Sequence, residues 1–62
     1  MAFVKNKPTY HIGDVVRTTK IHRIADGYFE KDTVVTIIGY SERGYDIRDD
    51  EGNTMYEVGW VI

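Results

Sequence analysis

Alternating apolar and polar positions dominate the chain, and short extended segments carry them. Val15-Val16-Arg17-Thr18-Thr19 reads as a strand with Val16 and Thr18 on one face and Val15, Arg17 and Thr19 on the other. His11-Ile12-Gly13-Asp14 reads as the turn that feeds it, and residues 1–11 as a lead-in in which Pro8 cannot donate to a ladder. Residues 20–32 have no clean period. Ile21, Ile24, Tyr28 and Phe29 are their apolar anchors and Asp26-Gly27 is a hairpin dipeptide, so they predict a long bent hairpin closed by a tight turn at Lys31-Asp32.

The strongest strand signal is Thr33-Val34-Val35-Thr36-Ile37-Ile38-Gly39-Tyr40, β-branched over its first six positions. Val35 and Ile37 face one way, and Val34, Thr36 and Ile38 the other. Apolar residues on both faces predict partial cover of the outer face by Phe3 and Val4. After a connection at Ser41-Glu42-Arg43-Gly44, Tyr45-Asp46-Ile47-Arg48-Asp49 alternates with Tyr45 and Ile47 inward. Asp50-Glu51-Gly52-Asn53 is a hairpin loop, Thr54-Met55-Tyr56-Glu57 a strand, Val58-Gly59-Trp60 one 3₁₀ turn, and Val61-Ile62 a last short strand. Five short strands at intervals of about 8–12 residues predict an all-β barrel or sandwich over residues 12–62.

Composition strengthens that reading. Val, Ile and Thr supply 20 of the 62 residues, whereas Leu and Gln are absent and Ala occurs twice, so unbranched helix formers are scarce. There is no Cys, which excludes a disulfide framework and a thiolate zinc site. Met1-Ala2-Phe3-Val4 runs straight into Lys5, too short for the apolar core of a targeting segment, and no apolar run approaches the ~18 residues that cross a bilayer. A cytoplasmic protein with no membrane association is the expectation. So short a chain balances burial worth roughly 95 kcal/mol against an ordering cost of roughly 93 kcal/mol. One compact core is feasible, and self-association would help it.

The order of elements resembles a Src-homology-3-like small barrel, and the short KOW-type and phage or plasmid proteins of Firmicutes that share it. Gly13, Asp14 and Val16 form a Gly-Asp-x-Val entry. A long bent loop follows, then a Phe-x-Lys-x-Thr-Val-Val-x-Ile segment (Phe29, Lys31, Thr33, Val34, Val35, Ile37), Tyr45-Asp46-Ile47, an acidic glycine turn and a terminal 3₁₀ piece. The resemblance implies a five-stranded barrel with a 3₁₀ turn before the last strand. It does not imply binding of proline-rich peptides. The Ala-Leu-Tyr-Asp-Tyr stretch of the peptide-binding members is missing, Gly44-Tyr45-Asp46 stands where their paired tryptophans would be, and Val58 replaces their proline.

Little in the chain suggests chemistry. Asp46, Asp49, Asp50 and Glu51 form an acidic run, but aligning Gly52 with the glycine of a calcium loop puts Ile47 and Val58 at its first and last ligand positions. A solvated hairpin tip explains the run through turn chemistry alone. His11 and His22 match no zinc spacing, Ser41 is the only serine, and the six glycines lie too far apart for a phosphate loop. No catalytic residue, metal or cofactor is expected, and the chain reads as non-enzymatic.

Charge and aromatic residues define two candidate surfaces. Residues 1–24 hold five Lys or Arg against one acid, and residues 25–62 hold three against nine. Arg17, Lys20, Arg23 and Lys31 form a basic stripe that would suit nucleic acid, although a sequence pI near 5.5 argues against that use. The plainer reading pairs this basic edge with the molecule's own acidic edge. Five tyrosines and one tryptophan are too many for so small an interior. Tyr28, Tyr56 and Trp60 are expected around a mouth between the bent loop and the 3₁₀ turn, as an aromatic groove for a protein or peptide partner. The alternative there is that Trp60 plugs one end of the barrel. The leading expectation is a protein-interaction module, an accessory protein of a bacterium, phage or plasmid. A nucleic-acid-associated module comes second, and a structural homo-oligomer that pairs a bare strand edge with another copy comes third.

Overall fold

A computed structural model describes residues 9–24 and 27–62. Six short strands account for the regular structure: β1 (Val15–Arg17), β2 (His22–Ile24), β3 (Gly27–Phe29), β4 (Val34–Ser41), β5 (Gly44–Asp49) and β6 (Thr54–Met55). The fold is all-β, as the patterning predicts. Four strands form one antiparallel sheet in the order β1-β4-β5-β6, and β2-β3 is a separate hairpin.

Three expectations need correction. Among the described residues there are six strands, because the two arms of the expected bent hairpin form a ladder of their own. The two sheets do not close into a barrel. The third concerns residues 58–60, which form no 3₁₀ turn and precede no last strand. Glu57 and Gly59 have φ of 55° and 100°, and two left-handed residues flanking Val58 cannot repeat a helical turn. This segment instead arches over Tyr45: Val58 N donates to Tyr45 O (3.0 Å), and Tyr45 N to Gly59 O (3.1 Å). The arch also ends β6 two residues earlier than the sequence suggests.

Face assignments follow the predicted alternation. Phe29, Val35, Ile37, Tyr45, Ile47, Met55 and Ile62 form the buried core, with Val16, Val58 and Trp60 packed against it. The ladder explains the grouping, since Ile37 pairs with Ile47 and Ile47 with Met55 across three strands. Ile38 is the extra residue of a bulge between Ile37 and Gly39, which brings Tyr40 opposite Tyr45. The turn at Lys31-Asp32 is present, with Asp32 at φ 68°. In the β2–β3 hairpin Ile24 pairs with Gly27, so Gly27 belongs to the ladder; Asp26 of the expected Asp26-Gly27 turn lies outside the described residues. The expected cover by Phe3 and Val4 also lies outside them.

Polar groups fasten what the small core cannot. Thr18 is fully buried; its Oγ1 donates to Glu30 O (2.7 Å) and accepts from Thr33 N (2.9 Å). Its backbone adds Thr18 N to Thr33 O (2.8 Å) and Asp32 N to Thr18 O (2.7 Å). One residue at the end of β1 thus ties down the foot of the β2–β3 hairpin. His22 is buried with Nε2 2.9 Å from Ile62 O, and that carbonyl also accepts from Thr19 N (2.7 Å).

Two substitutions test this packing by thermal and urea denaturation. A Cβ on Gly44, at φ 126°, would collide with the backbone of Gly59, so Gly44→Ala should unfold the protein or cost several kcal/mol, whereas Gly27→Ala meets nothing and should stay within about 0.5 kcal/mol. Thr18→Val keeps the shape but strands the Thr33 amide, and should cost about 1–3 kcal/mol.

Candidate functional site

The hairpin stands apart from the end of the β5–β6 turn, and the space between them is an open groove of about 1060 Å³. Gly27, Tyr28, Phe29 and Glu30 line it from the hairpin, Thr33 and Val34 from the start of β4, and Asp49, Asp50, Glu51, Asn53, Thr54 and Met55 from the turn. Four acidic residues therefore line the groove, and no Lys, Arg or His is among its described lining residues. Apolar surface is supplied by Tyr28, which is 59 % exposed, together with Val34, Phe29 and Met55.

Asp49 differs from the other three acids because it builds the turn. Its Oδ1 accepts from Glu51 N (3.0 Å) and Asn53 N (2.8 Å), and its Oδ2 from Asn53 Nδ2 (3.0 Å). The side-chain amide of Asn53 leads, with backbone N–H groups behind it, in holding this carboxyl below the usual aspartate range; partial desolvation opposes them. Glu30, Asp50 and Glu51 are exposed, and their carboxylates have no partner among the described residues.

The three aromatic residues expected to share one mouth are dispersed. Tyr28 lines the acidic groove. Trp60 is half-buried in a cluster with Tyr45, whose ring it meets edge-on at 5.0 Å, and with Tyr40 at 6.4 Å; Tyr10 completes the group, 5.5 Å from Tyr45. Tyr56 is 66 % exposed and stacks on no ring among the described residues. The centre of the cluster is Tyr45, whose hydroxyl accepts from Thr9 N (2.6 Å) and Tyr10 N (3.0 Å). Burial opposes ionisation of this phenol, but those donors outweigh it and leave its pKa below the usual tyrosine value. Alternation identifies Tyr45 as inward, but no local pattern announces a hydroxyl that reaches the chain 35 residues upstream.

The basic residues are all exposed. Arg17 is on β1, with Nη1 donating to Asp32 O (3.3 Å), Lys20 lies in the bend beyond it, and Lys31 is in the turn beside Asp32. Arg23 pairs with Tyr28 across the hairpin. The expected pairing of basic and acidic edges is not seen among the described residues: no Lys or Arg pairs with a carboxylate there, and only His11 Nδ1 approaches one, Asp14 Oδ2 at 3.9 Å. Neither histidine meets a serine. Ser41 Oγ accepts from Arg43 N within its own turn.

Among the described residues, no group of three or more His, Cys, Asp or Glu could hold a metal ion, and no helix is long and apolar enough to cross a membrane. Compared with protein-family models, curated proteins and solved structures, the chain finds no match.

The turn carries a pH signature. Folding lowers the Asp49 pKa, so its stabilisation is complete above the unfolded carboxylate value, about 3.9, and is lost as pH falls through the folded value. Circular dichroism melts from pH 6 to pH 2 should show Tm falling below about pH 4, with a shallower fall in Asp49→Asn. Tyr45→Phe should cost about 1 kcal/mol, or a drop of roughly 4–8 °C in Tm.

Proposed function

We propose that this chain is a small non-enzymatic protein-interaction module whose acidic groove docks a basic segment of a partner protein. The observation that carries the reading is the lining itself, which joins four acidic residues and an exposed tyrosine with no cation among the described residues. A Lys or Arg side chain entering there gains Coulomb attraction from several acids at once and can lie on the Tyr28 ring. Glu30, Asp50 and Glu51 have no ion pair among the described residues, which leaves their carboxylates open to a partner's cations.

The path of the chain supports the Src-homology-3-like resemblance at the level of topology: an edge strand, a long bent hairpin, a central strand and two further antiparallel strands. An origin as an accessory protein of a bacterium, phage or plasmid follows from that resemblance alone. Four exposed cations at Arg17, Lys20, Arg23 and Lys31 favour a second reading, contact with nucleic acid, against which stands a net charge of -2.

Amide-shift titrations separate these readings. A peptide alternating Lys or Arg with aromatic residues should move Tyr28, Glu30, Asp50 and Glu51, and its Glu-substituted counterpart should not. The triple variant Tyr28→Ala/Asp50→Lys/Glu51→Lys should bind at least about tenfold more weakly, a loss of about 1.4 kcal/mol, with Tm within a few degrees of the parent. Mixed-sequence single-stranded DNA at low salt should leave Arg17, Lys20, Arg23 and Lys31 unmoved. Shifts at those four residues with a silent groove would overturn the proposal in favour of nucleic acid.

A further inference from the structure

We propose a second docking surface, independent of the groove: the outer edge of β1, which no described strand pairs and which accepts an acidic extended segment of a partner protein as an added strand. β1 is an outer strand of the four-stranded sheet. The bonds flanking β1 on its β4 side run through alternate residues, with Ile37 N donating to Asp14 O (2.8 Å) just before β1 and Thr18 N to Thr33 O (2.8 Å) just after it. In an antiparallel ladder the residues between these point their N–H and C=O groups the other way. The outward groups therefore belong to Val15, Arg17 and Thr19. Thr19 N is occupied by Ile62 O, which forms the first rung on this side. Val15 and Arg17 are the next two rungs, and no described residue bonds to them there. The opposite edge of the sheet, β6, is only two residues long.

Side chains at the edge indicate what would add. Val15 is 65 % exposed and shares its face with Arg17, so an antiparallel strand would place an apolar or β-branched residue opposite the first and an acid opposite the second. Lys20 follows on the chain, and Lys31 lies in the turn that bonds to Thr18, so cations cluster at one end of the edge. Asp14, at the other end, is engaged by the His11 amide (2.9 Å). Arg17, Lys20 and Lys31 outnumber Asp32, the one acid of the adjoining turn, so this edge favours acidic strands over basic ones, whereas a second copy of β1 would bring a second Arg17 to the same short edge.

The test uses the full chain and a blocked heptapeptide of Thr and Val with Glu at alternate positions, followed by amide NMR. Val15 and Arg17 should exchange rapidly in the free protein, then shift and become protected as the peptide is added. Replacing Glu by Lys in the peptide, or N-methylating the amides that face β1, should each weaken binding at least tenfold. Arg17→Pro removes an outward N–H while sparing the Asp14 and Thr18 bonds on the β4 side. Arg17→Glu guards against misfolding of that variant. Both should lose the peptide and keep the response of the Tyr28 groove to a basic peptide. Three results would overturn the proposal: protection of Val15 and Arg17 in the dilute free protein, protection that grows with protein concentration alone, or binding indifferent to N-methylation.

Discussion

A buried threonine hydroxyl fixes where the hairpin can be. The β2–β3 ladder belongs to a sheet of its own, so no interstrand register ties it to β4 or β5. Its attachment instead rests on Thr18, which satisfies Glu30 O and Thr33 N from inside the fold, on Phe29, which enters the common core, and on the buried His22 at Ile62 O. A buried polar group is costly when unpaired, and that cost makes the attachment specific: few positions of the hairpin foot satisfy both backbone groups at once. The groove exists because the hairpin is held there and because Asp49 holds the facing turn.

Much of the fold was legible because it is written in period two. Val16 and Thr18, Val35 and Ile37, and Tyr45 and Ile47 all turn inward where alternation puts them. The turn at Lys31-Asp32 and the loop around Gly52 were marked by their residues. What escaped was long-range. Glu57 in the left-handed region is no feature of glutamate; it is imposed by an arch whose Gly59 backbone must pass close to Gly44. The bent hairpin was legible from its apolar anchors, but its two arms did not count as strands, because three-residue strands carry too little alternation to stand out. Of the candidate site, Tyr28 and the acidic turn were both visible. Their union was not, since it depends on a contact between Thr18 and Glu30 that no local pattern records.

Net charge concealed the arrangement that matters most. A value of -2 describes the sum, whereas the molecule keeps acids around the groove and cations around the β1 edge, without mutual pairing among the described residues. Exposed ion pairs stabilise little, so leaving them unmade costs the fold little. The same charges retain long reach for steering a partner. A chain with so narrow a stability margin has little room for a deep polar cavity, and shallow surfaces of opposite sign ask less of its core.

Native-state hydrogen exchange addresses the central claim directly. If Thr18 locks the hairpin to the sheet, the amides of Thr18, Asp32 and Thr33 should exchange only through global unfolding, with the same free energy as Ile37 and Ile47. Exchange at Thr18 and Thr33 that is fast while Ile37 and Ile47 stay protected would show the hairpin opening on its own, and the groove would have no fixed wall.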